Sequence, residues 1–261
     1  MKFLTPQKFF LQKKIYAQLF NAEIFSDKIF CKGSGKMLVD VITLFPEMFS
    51  SPFADSIIKR AIDRKILRIN FTQLRDFAFD KHKQVDDSPF GGGSGMVLKP
   101  EPMYRAVRNV LSRDENLSRK IIITDPSGKV FNQSKAKELS TFDRLIFICG
   151  HYEGFDARIY DLADELISIG DFVLTGGELP AMVIIDAVAR MLPGVLGSED
   201  SARTDSFFDG LLSFPQYTRP QDFEGKKVPE ILLSGHHANI EKWRREKSLE
   251  ITKLRRPDLL K

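Results

Sequence analysis

Cysteine is scarce in this 261-residue chain: the two present, Cys31 and Cys149, lie far apart and outside any CxxC spacing. This excludes a disulfide framework and a thiolate zinc site and fits a reducing compartment, so a cytoplasmic protein is expected. No apolar run approaches the roughly 20 residues that span a bilayer, and no membrane segment is expected. The four histidines, His82, His151, His236 and His237, show no HExxH or other ligand spacing, so no protein metal site is expected. A GxSxG elbow is missing, which removes the commonest serine-hydrolase signal. Phe90-Gly-Gly-Gly-Ser-Gly-Met96 lacks the Gly-Lys-Ser/Thr ending of a phosphate loop, and Met96 stands where the third glycine of a dinucleotide fingerprint would fall. Neither an NTPase nor a dehydrogenase is supported. There are no internal repeats and no low-complexity tracts.

What is present is an ordinary globular composition, 43% hydrophobic with a formal charge of +4. That mild basic balance permits a polyanionic partner without proving one. Residues 1–36 stand apart, rich in Phe and Lys and ending in Gly33-Ser34-Gly35-Lys36. Lys8, Lys13 and Lys14 interrupt any apolar stretch, so the segment is not a secretory signal. It reads as an N-terminal extension: a terminal arm, an upstream start or appended sequence.

From Met37 the pattern alternates between apolar strands and helix-like segments. Strands are predicted at 38–45, 66–72, 120–124, 145–149 and 166–174, with helices over 47–64, 101–112, 133–140, from Gly150 to about 165, and Leu179–Met191. Near-continuous apolar strands separated by helices predict an α/β domain over 37–195, with a parallel sheet covered on both faces. Residues 196–212, with Gly197, Ser198, Ser201 and Gly210, read as a flexible linker. Beyond it, 213–261 reads as a small basic helical domain, with Ser234 capping a helix over 236–254 that carries Lys242, Arg244, Arg245, Lys247 and Lys253 before Pro257. Such a charge run is commonly just a solvated helix face.

Three stretches invite a chemical reading. Ser168-Ile-Gly-Asp-Phe-Val-Leu-Thr-Gly-Gly-Glu-Leu-Pro180 runs from an apolar strand into paired glycines and a helix start, and serves either as a simple turn or as a ligand loop that lets the backbone approach a bound molecule. Asp80–Asp87 leads a mixed-charge segment into the glycine-rich 90–96 stretch, either a substrate-gating loop or an ordinary surface loop. Cys149 ends a strongly apolar strand, where packing rather than nucleophilic attack is its expected role.

Five motifs then occur in one order: Leu44-Phe-Pro-Glu-Met48, Phe90-Gly-Gly-Gly-Ser-Gly-Met96, Cys149-Gly-His-Tyr-Glu-Gly154, the 168–180 stretch and Pro193-Gly-Val-Leu-Gly197. With Tyr217-Thr-Arg-Pro220, Leu232-Leu-Ser-Gly235 and Leu254-Arg-Arg-Pro257, the chain from Met37 onward resembles the bacterial tRNA (guanine-N1)-methyltransferases that act on guanine 37 beside the anticodon. The resemblance implies a SPOUT-type parallel sheet with a C-terminal trefoil knot, a topology that general connection rules alone would have ruled out. It also implies a homodimer whose active sites are shared between subunits, and a tRNA substrate with guanines at 36 and 37.

Carried over by motif, the resemblance implies that S-adenosylmethionine is bound by Pro126, Gly150, Tyr152, Glu153, Ile169, Gly170, Asp171, Phe172, Val173, Leu174, Gly176 and Gly177, largely through backbone groups. It implies Asp205 as general base and Arg190 as the group stabilising charge on guanine O6, with Mg²⁺ as an accessory ion at most. Ser94 departs from the proline common at that point in relatives, Ile123 stands where some carry an aromatic residue, and the chain stops soon after Arg256, so weaker RNA affinity is expected. The competing reading is an RNA-binding relative that has lost turnover; the presence of both Arg190 and Asp205 argues against it.

Overall fold

The computed structural model describes residues 33–113, 116–197 and 202–260. Most of the expected N-terminal extension, and residues 198–201 of the expected linker, lie outside the described residues. The chain divides into two compact units at the Leu196/Gly197 junction.

The first unit is an α/β layer structure. Its sheet has the order β2-β1-β6-β5-β7, from β1 (Met37–Thr43), β2 (Leu67–Gln73), β5 (Arg119–Val130), β6 (Arg144–Cys149) and β7 (Glu165–Ser168), all paired parallel. A two-residue ladder of β3 (Asp86–Asp87) and β4 (Val97–Leu98) lies apart from it. β1 and β6 are buried at every residue, as near-continuous apolar strands of a covered parallel sheet must be. Because side chains alternate across a strand, each strand feeds two cores. Val39, Val41, Leu145 and Phe147 join one with α1 (Ser56–Asp63), α3 (Gln133–Leu139) and α4 (Glu178–Ala189). Ile42, Ile146 and Ile148 join the other with Met103, Ala106 and Val110 of α2 (Pro100–Leu111).

Local chemistry sets the helix starts. Asp55 accepts from the Ser56 amide at 2.6 Å to begin α1, Asn132 accepts from the Lys135 amide at 3.0 Å to begin α3, and Pro100 occupies the first turn of α2. Inside the sheet, Arg144 and Asp40 form a fully buried ion pair at 2.8 Å. Arg144 also donates to the Val110 carbonyl at 2.7 Å, and Asp40 accepts from Asn70 at 3.1 Å, so β1, β2, β6 and α2 share one satisfied polar network.

Four expected elements differ from the structure. The helix expected over 47–64 is broken into a 3-10 turn, Pro46–Phe49, a single helical turn, Ser50–Phe53, and α1, which starts only after the extended Asp55 cap. The helix expected from Gly150 to about 165 is a short 3-10 helix, Ala157–Leu162, begun by Asp156 accepting from the Arg158 amide at 3.0 Å. The residues before it are instead held by β4, since Leu98 donates to the Gly154 carbonyl and the Asp156 amide donates to the Leu98 carbonyl, each at 3.0 Å. The strand expected over 166–174 ends at Ser168. There the Ser168 hydroxyl donates to the Gly170 carbonyl at 3.0 Å and accepts its amide at 3.1 Å, and Gly170 turns at φ +147°. Ser234 does not cap the C-terminal helix; it closes the preceding 3-10 turn by donating to the Ile231 carbonyl at 2.8 Å.

The second unit is small. It holds the hairpin β8 (Asp222–Phe223) and β9 (Lys226–Lys227) and the long helix α5 (His237–Arg255). Residues from the stretch read as a linker pack on α5: the Leu212 amide donates to Thr252 Oγ1 at 2.9 Å, and the Arg256 guanidinium lies 5.8 Å from the Phe207 ring. Lys242, Arg245 and Lys253 are exposed on α5, and Tyr217 faces Trp243 with ring centres 6.5 Å apart. None of the described helices is long and apolar enough to cross a membrane.

Candidate active site at the carboxyl edge of the sheet

The carboxyl ends of β5, β6 and β7 converge on one cavity of about 260 Å³, the edge at which open parallel sheets bind ligands. β5 shapes its first wall. Its pairing with β7 stops at Thr124↔Ile167 and resumes at Lys129↔Ile167, so Asp125 to Gly128 bulge out of the ladder. Gly128 is required there, since a Cβ would come within 2.5 Å of the Leu166 and Ile167 backbone. The bulge turns on Asp125, which accepts the Ser127 amide at 2.9 Å and hydroxyl at 2.6 Å, and it presents Pro126 to the cavity.

The second wall follows β6. Tyr152 is held at φ +60° and half exposed. Beside it the His151 ring packs between Phe45 (4.8 Å) and Tyr152 (4.7 Å), with Nδ1 buried and unpartnered. The glycine-rich loop reaches this rim, where the Glu153 amide donates to the Met96 carbonyl at 3.0 Å, while Phe90 at its tip is fully exposed. The third wall is 167–177. Its residues 171–175 belong to no strand or helix; the Phe172 amide donates to the Gly170 carbonyl at 3.0 Å, and the other peptide groups, outside any ladder, can serve a ligand. The Gly177 amide donates to the Gly150 carbonyl at 2.8 Å, and its own carbonyl accepts from Thr124 Oγ1 at 3.1 Å. Behind it, the Glu178 carboxylate is buried and accepts from the Thr43 hydroxyl at 2.7 Å, fastening the start of α4 to β1.

Of the residues expected to hold the cofactor, Pro126, Gly150, Tyr152, Glu153, Ile169, Gly170, Phe172, Val173, Leu174, Gly176 and Gly177 all line this cavity, and Asp171 does not. Apolar Ile169 and Leu174 with free backbone groups can sandwich a planar heteroaromatic ring and read its edge. Thr124, Asp125, His151, Phe155, Tyr160 and Ser168 also line it and are not among the expected cofactor residues, although His151 and Ser168 stand inside the quoted motifs. For Asp125 a signal existed, because Asp-Pro-Ser-Gly after a buried strand is turn chemistry; Tyr160 had none.

Of the two residues expected to act on the base, Arg190 does not line the cavity. Arg190 caps the far end of α4 from Gly177, and at 1.5 Å per residue that is about 20 Å along the helix. Asp205 is half-buried in the second unit. Cys149 is buried beneath the cavity floor, where burial first and the Glu178 carboxylate second push its thiol well above the ordinary value; it packs and is not a nucleophile. Among the described residues no group of three or more His, Cys, Asp or Glu gathers to hold a metal ion, so the accessory Mg²⁺ has no protein cage here.

A covered parallel sheet with a glycine-walled pocket at its carboxyl edge defines an α/β protein with a ligand site at that edge. The comparisons with known proteins narrow this. The family described as tRNA (Guanine-1)-methyltransferase TrmD matches residues 37–261. A protein named tRNA (guanine-N(1)-)-methyltransferase from Dehalococcoides mccartyi is 58% identical over 225 residues, covering 86% of this chain and 90% of the relative. Proteins of the same name from Dictyoglomus turgidum and Staphylococcus carnosus are 56% and 54% identical, covering 85% and 86% of this chain and 89% and 91% of theirs. The chain belongs to the tRNA (guanine-1)-methyltransferase TrmD family.

Proposed function

We propose that this protein methylates N1 of guanine 37 in tRNA, where guanine 36 precedes it, using S-adenosylmethionine in the cytoplasm. The observation that carries the reading is the convergence of eleven residues, expected from motif alone, on one cavity in a chain of this family. The cavity suits the donor. Ile169 and Leu174 pack the faces of adenine, peptide groups of 171–175 read its edge, and Gly150, Gly176 and Gly177 keep the walls narrow. When bound, S-adenosylmethionine supplies an electrophilic methyl on a sulfonium, which passes to the N1 lone pair as the S–C bonding pair returns to sulfur.

The chain's own task is the N1 proton. Asp205 takes it as general base, although a carboxylate is far less basic than guanine N1 and the transfer is uphill alone. Arg190 offsets this by stabilising the negative charge that develops on O6 as N1 loses its proton. The length of α4 bears on how these groups meet. Arg190 stands about 20 Å from Gly177 along a rigid helix and does not line the cavity of its own copy, whereas the reading requires an arginine at each cavity. A homodimer in which the partner's copy of this arginine serves each cavity meets that requirement. The aromatic and basic face of α5 fits the phosphate backbone and bases of RNA. We also include the trefoil knot of the SPOUT fold in this reading.

The test is incubation with S-adenosylmethionine and unmodified tRNA carrying guanines at 36 and 37, followed by nucleoside mass spectrometry, with an adenine-37 transcript as control. N1-methylguanosine on the guanine-37 transcript alone is expected. Methylation at another position would overturn the substrate assignment, and none at all would favour an RNA-binding relative without turnover.

A further inference from the structure

We propose that Asp125 makes the cavity selective for a cationic ligand, so that the sulfonium donor is retained and its neutral thioether product is released; this rests on reading the cavity as the donor site. Asp125 leaves β5 at the bulge and lines the cavity beside Tyr160. Its Oδ2 accepts from the Tyr160 hydroxyl at 2.9 Å, and its Oδ1 accepts from the Ser127 amide and hydroxyl. Burial opposes ionisation of this carboxyl, but the hydrogen bonds from Ser127 and Tyr160 outweigh it and hold it below the ordinary carboxylate value. Burial, and then the neighbouring carboxylate, push the Tyr160 hydroxyl up to about 12. The pair therefore keeps its proton on the phenol and a full negative charge on Asp125 at neutral pH.

Nothing in the lining cancels that charge. Glu153 adds a second carboxylate, and among the described residues lining the cavity none is lysine or arginine. The His151 ring packs between Phe45 and Tyr152, with its Nδ1 buried and without a hydrogen-bond partner. S-adenosylmethionine bears a sulfonium, an ammonium and a carboxylate, a net single positive charge. Loss of the methyl returns an electron pair to sulfur and leaves a net neutral product of nearly the same shape. A wall of two carboxylates attracts the first and is indifferent to the net charge of the second, and partial enclosure strengthens the difference. Transfer of the methyl thus switches off part of the attraction that held the donor.

The experiment is calorimetric titration of the full chain with S-adenosylmethionine, S-adenosylhomocysteine and sinefungin, which carries an ammonium where the donor has its sulfonium. Asp125→Asn should weaken both cationic ligands by roughly three- to tenfold while changing the neutral one by less than about twofold. Glu153→Gln should act in the same direction and less, since its carboxylate is exposed. Because D125N removes an acceptor from a tight turn, the wild-type protein supplies an independent measure: its ratio of cationic to neutral affinity should fall as salt is raised to about 0.5 M. A folded D125N with an unchanged ratio, or a wild-type ratio that ignores salt, overturns the proposal alone. Failure of the wild-type protein to bind any of the three would overturn the donor-site reading, and this proposal with it.

Discussion

Gly177→Ala tests whether the cavity is built by backbone contact. A Cβ at this position would stand 2.8 Å from the Gly150 amide nitrogen and 2.9 Å from Cys149 Cα, and would also strike the Thr124 hydroxyl. Contacts between such atoms are favourable near 3.5–4.0 Å, and two of the three belong to the main chain where β6 ends, which cannot rotate aside. Overpacking of this kind costs about 1–3 kcal/mol. Displacing Gly177 also breaks the buried hydrogen bond from Thr124 to its carbonyl, a further loss of about 1–2 kcal/mol. Together these give about 2–5 kcal/mol, which for a unit of this size lowers Tm by roughly 4–20 °C. The same shift narrows the donor pocket, so Kd for S-adenosylmethionine should rise at least about tenfold. Differential scanning calorimetry and titration calorimetry read the two effects. Gly197→Ala is the matched control, because a Cβ there meets nothing within 4 Å, and its Tm should stay within about 1 °C. A Gly177→Ala protein that melts and binds like the wild type would refute the reasoning.

Other outcomes follow from the same structure. Asp205→Ala and Arg190→Ala should each keep donor affinity in calorimetry and lose on the order of a hundredfold or more in single-turnover methyl transfer. Mixing the inactive Arg190→Ala protein with an inactive cavity variant, Leu174→Asp, and allowing subunits to exchange should restore about a quarter of wild-type activity, because half the dimers then hold one intact shared site; no recovery would argue that each site is complete within one subunit. Arg144→Met strands the buried Asp40 carboxylate and should cost about 3–5 kcal/mol in urea unfolding, whereas adding Asp40→Leu should recover most of that loss. Asp156 carries the clearest pH dependence. Hydrogen bonding from Arg158 draws its carboxyl from the ordinary 3.8 to about 2. A depressed folded pKa gives stability that is present above the unfolded value and lost as pH falls toward the folded one, so Asp156→Asn should melt below the wild type at pH 6, with the difference closing between about pH 4 and 2.

Much of the fold was legible because a parallel sheet buried on both faces demands near-continuous apolar strands, as 145–149 is throughout and 38–42 is apart from Asp40, whose charge Arg144 pairs. The misreadings fell where tertiary partners replaced local propensity. The stretch after Gly150 looks helical in composition, yet β4 takes its backbone hydrogen bonds. The run Ile169 to Leu174 looks like strand, yet the Ser168 hydroxyl closes a turn on Gly170 before the ladder can continue. The site is legible through motifs, and its backbone-lined part is nearly complete in them; Asp125 carries only turn chemistry beside Pro126, His151 stands inside a motif without a ligand spacing, and nothing local marks Tyr160.

By itself the sequence determined the family, the layered α/β class and the glycines that let three strand ends approach one another, since these depend on residue type and local order. The tertiary structure alone decided that β5 bulges to bring Asp125 to Tyr160 and that Cys149 and Glu178 are sealed below the cavity. Those are relations between residues about 30 or more positions apart, and only the packing of the folded chain sets the distances between them.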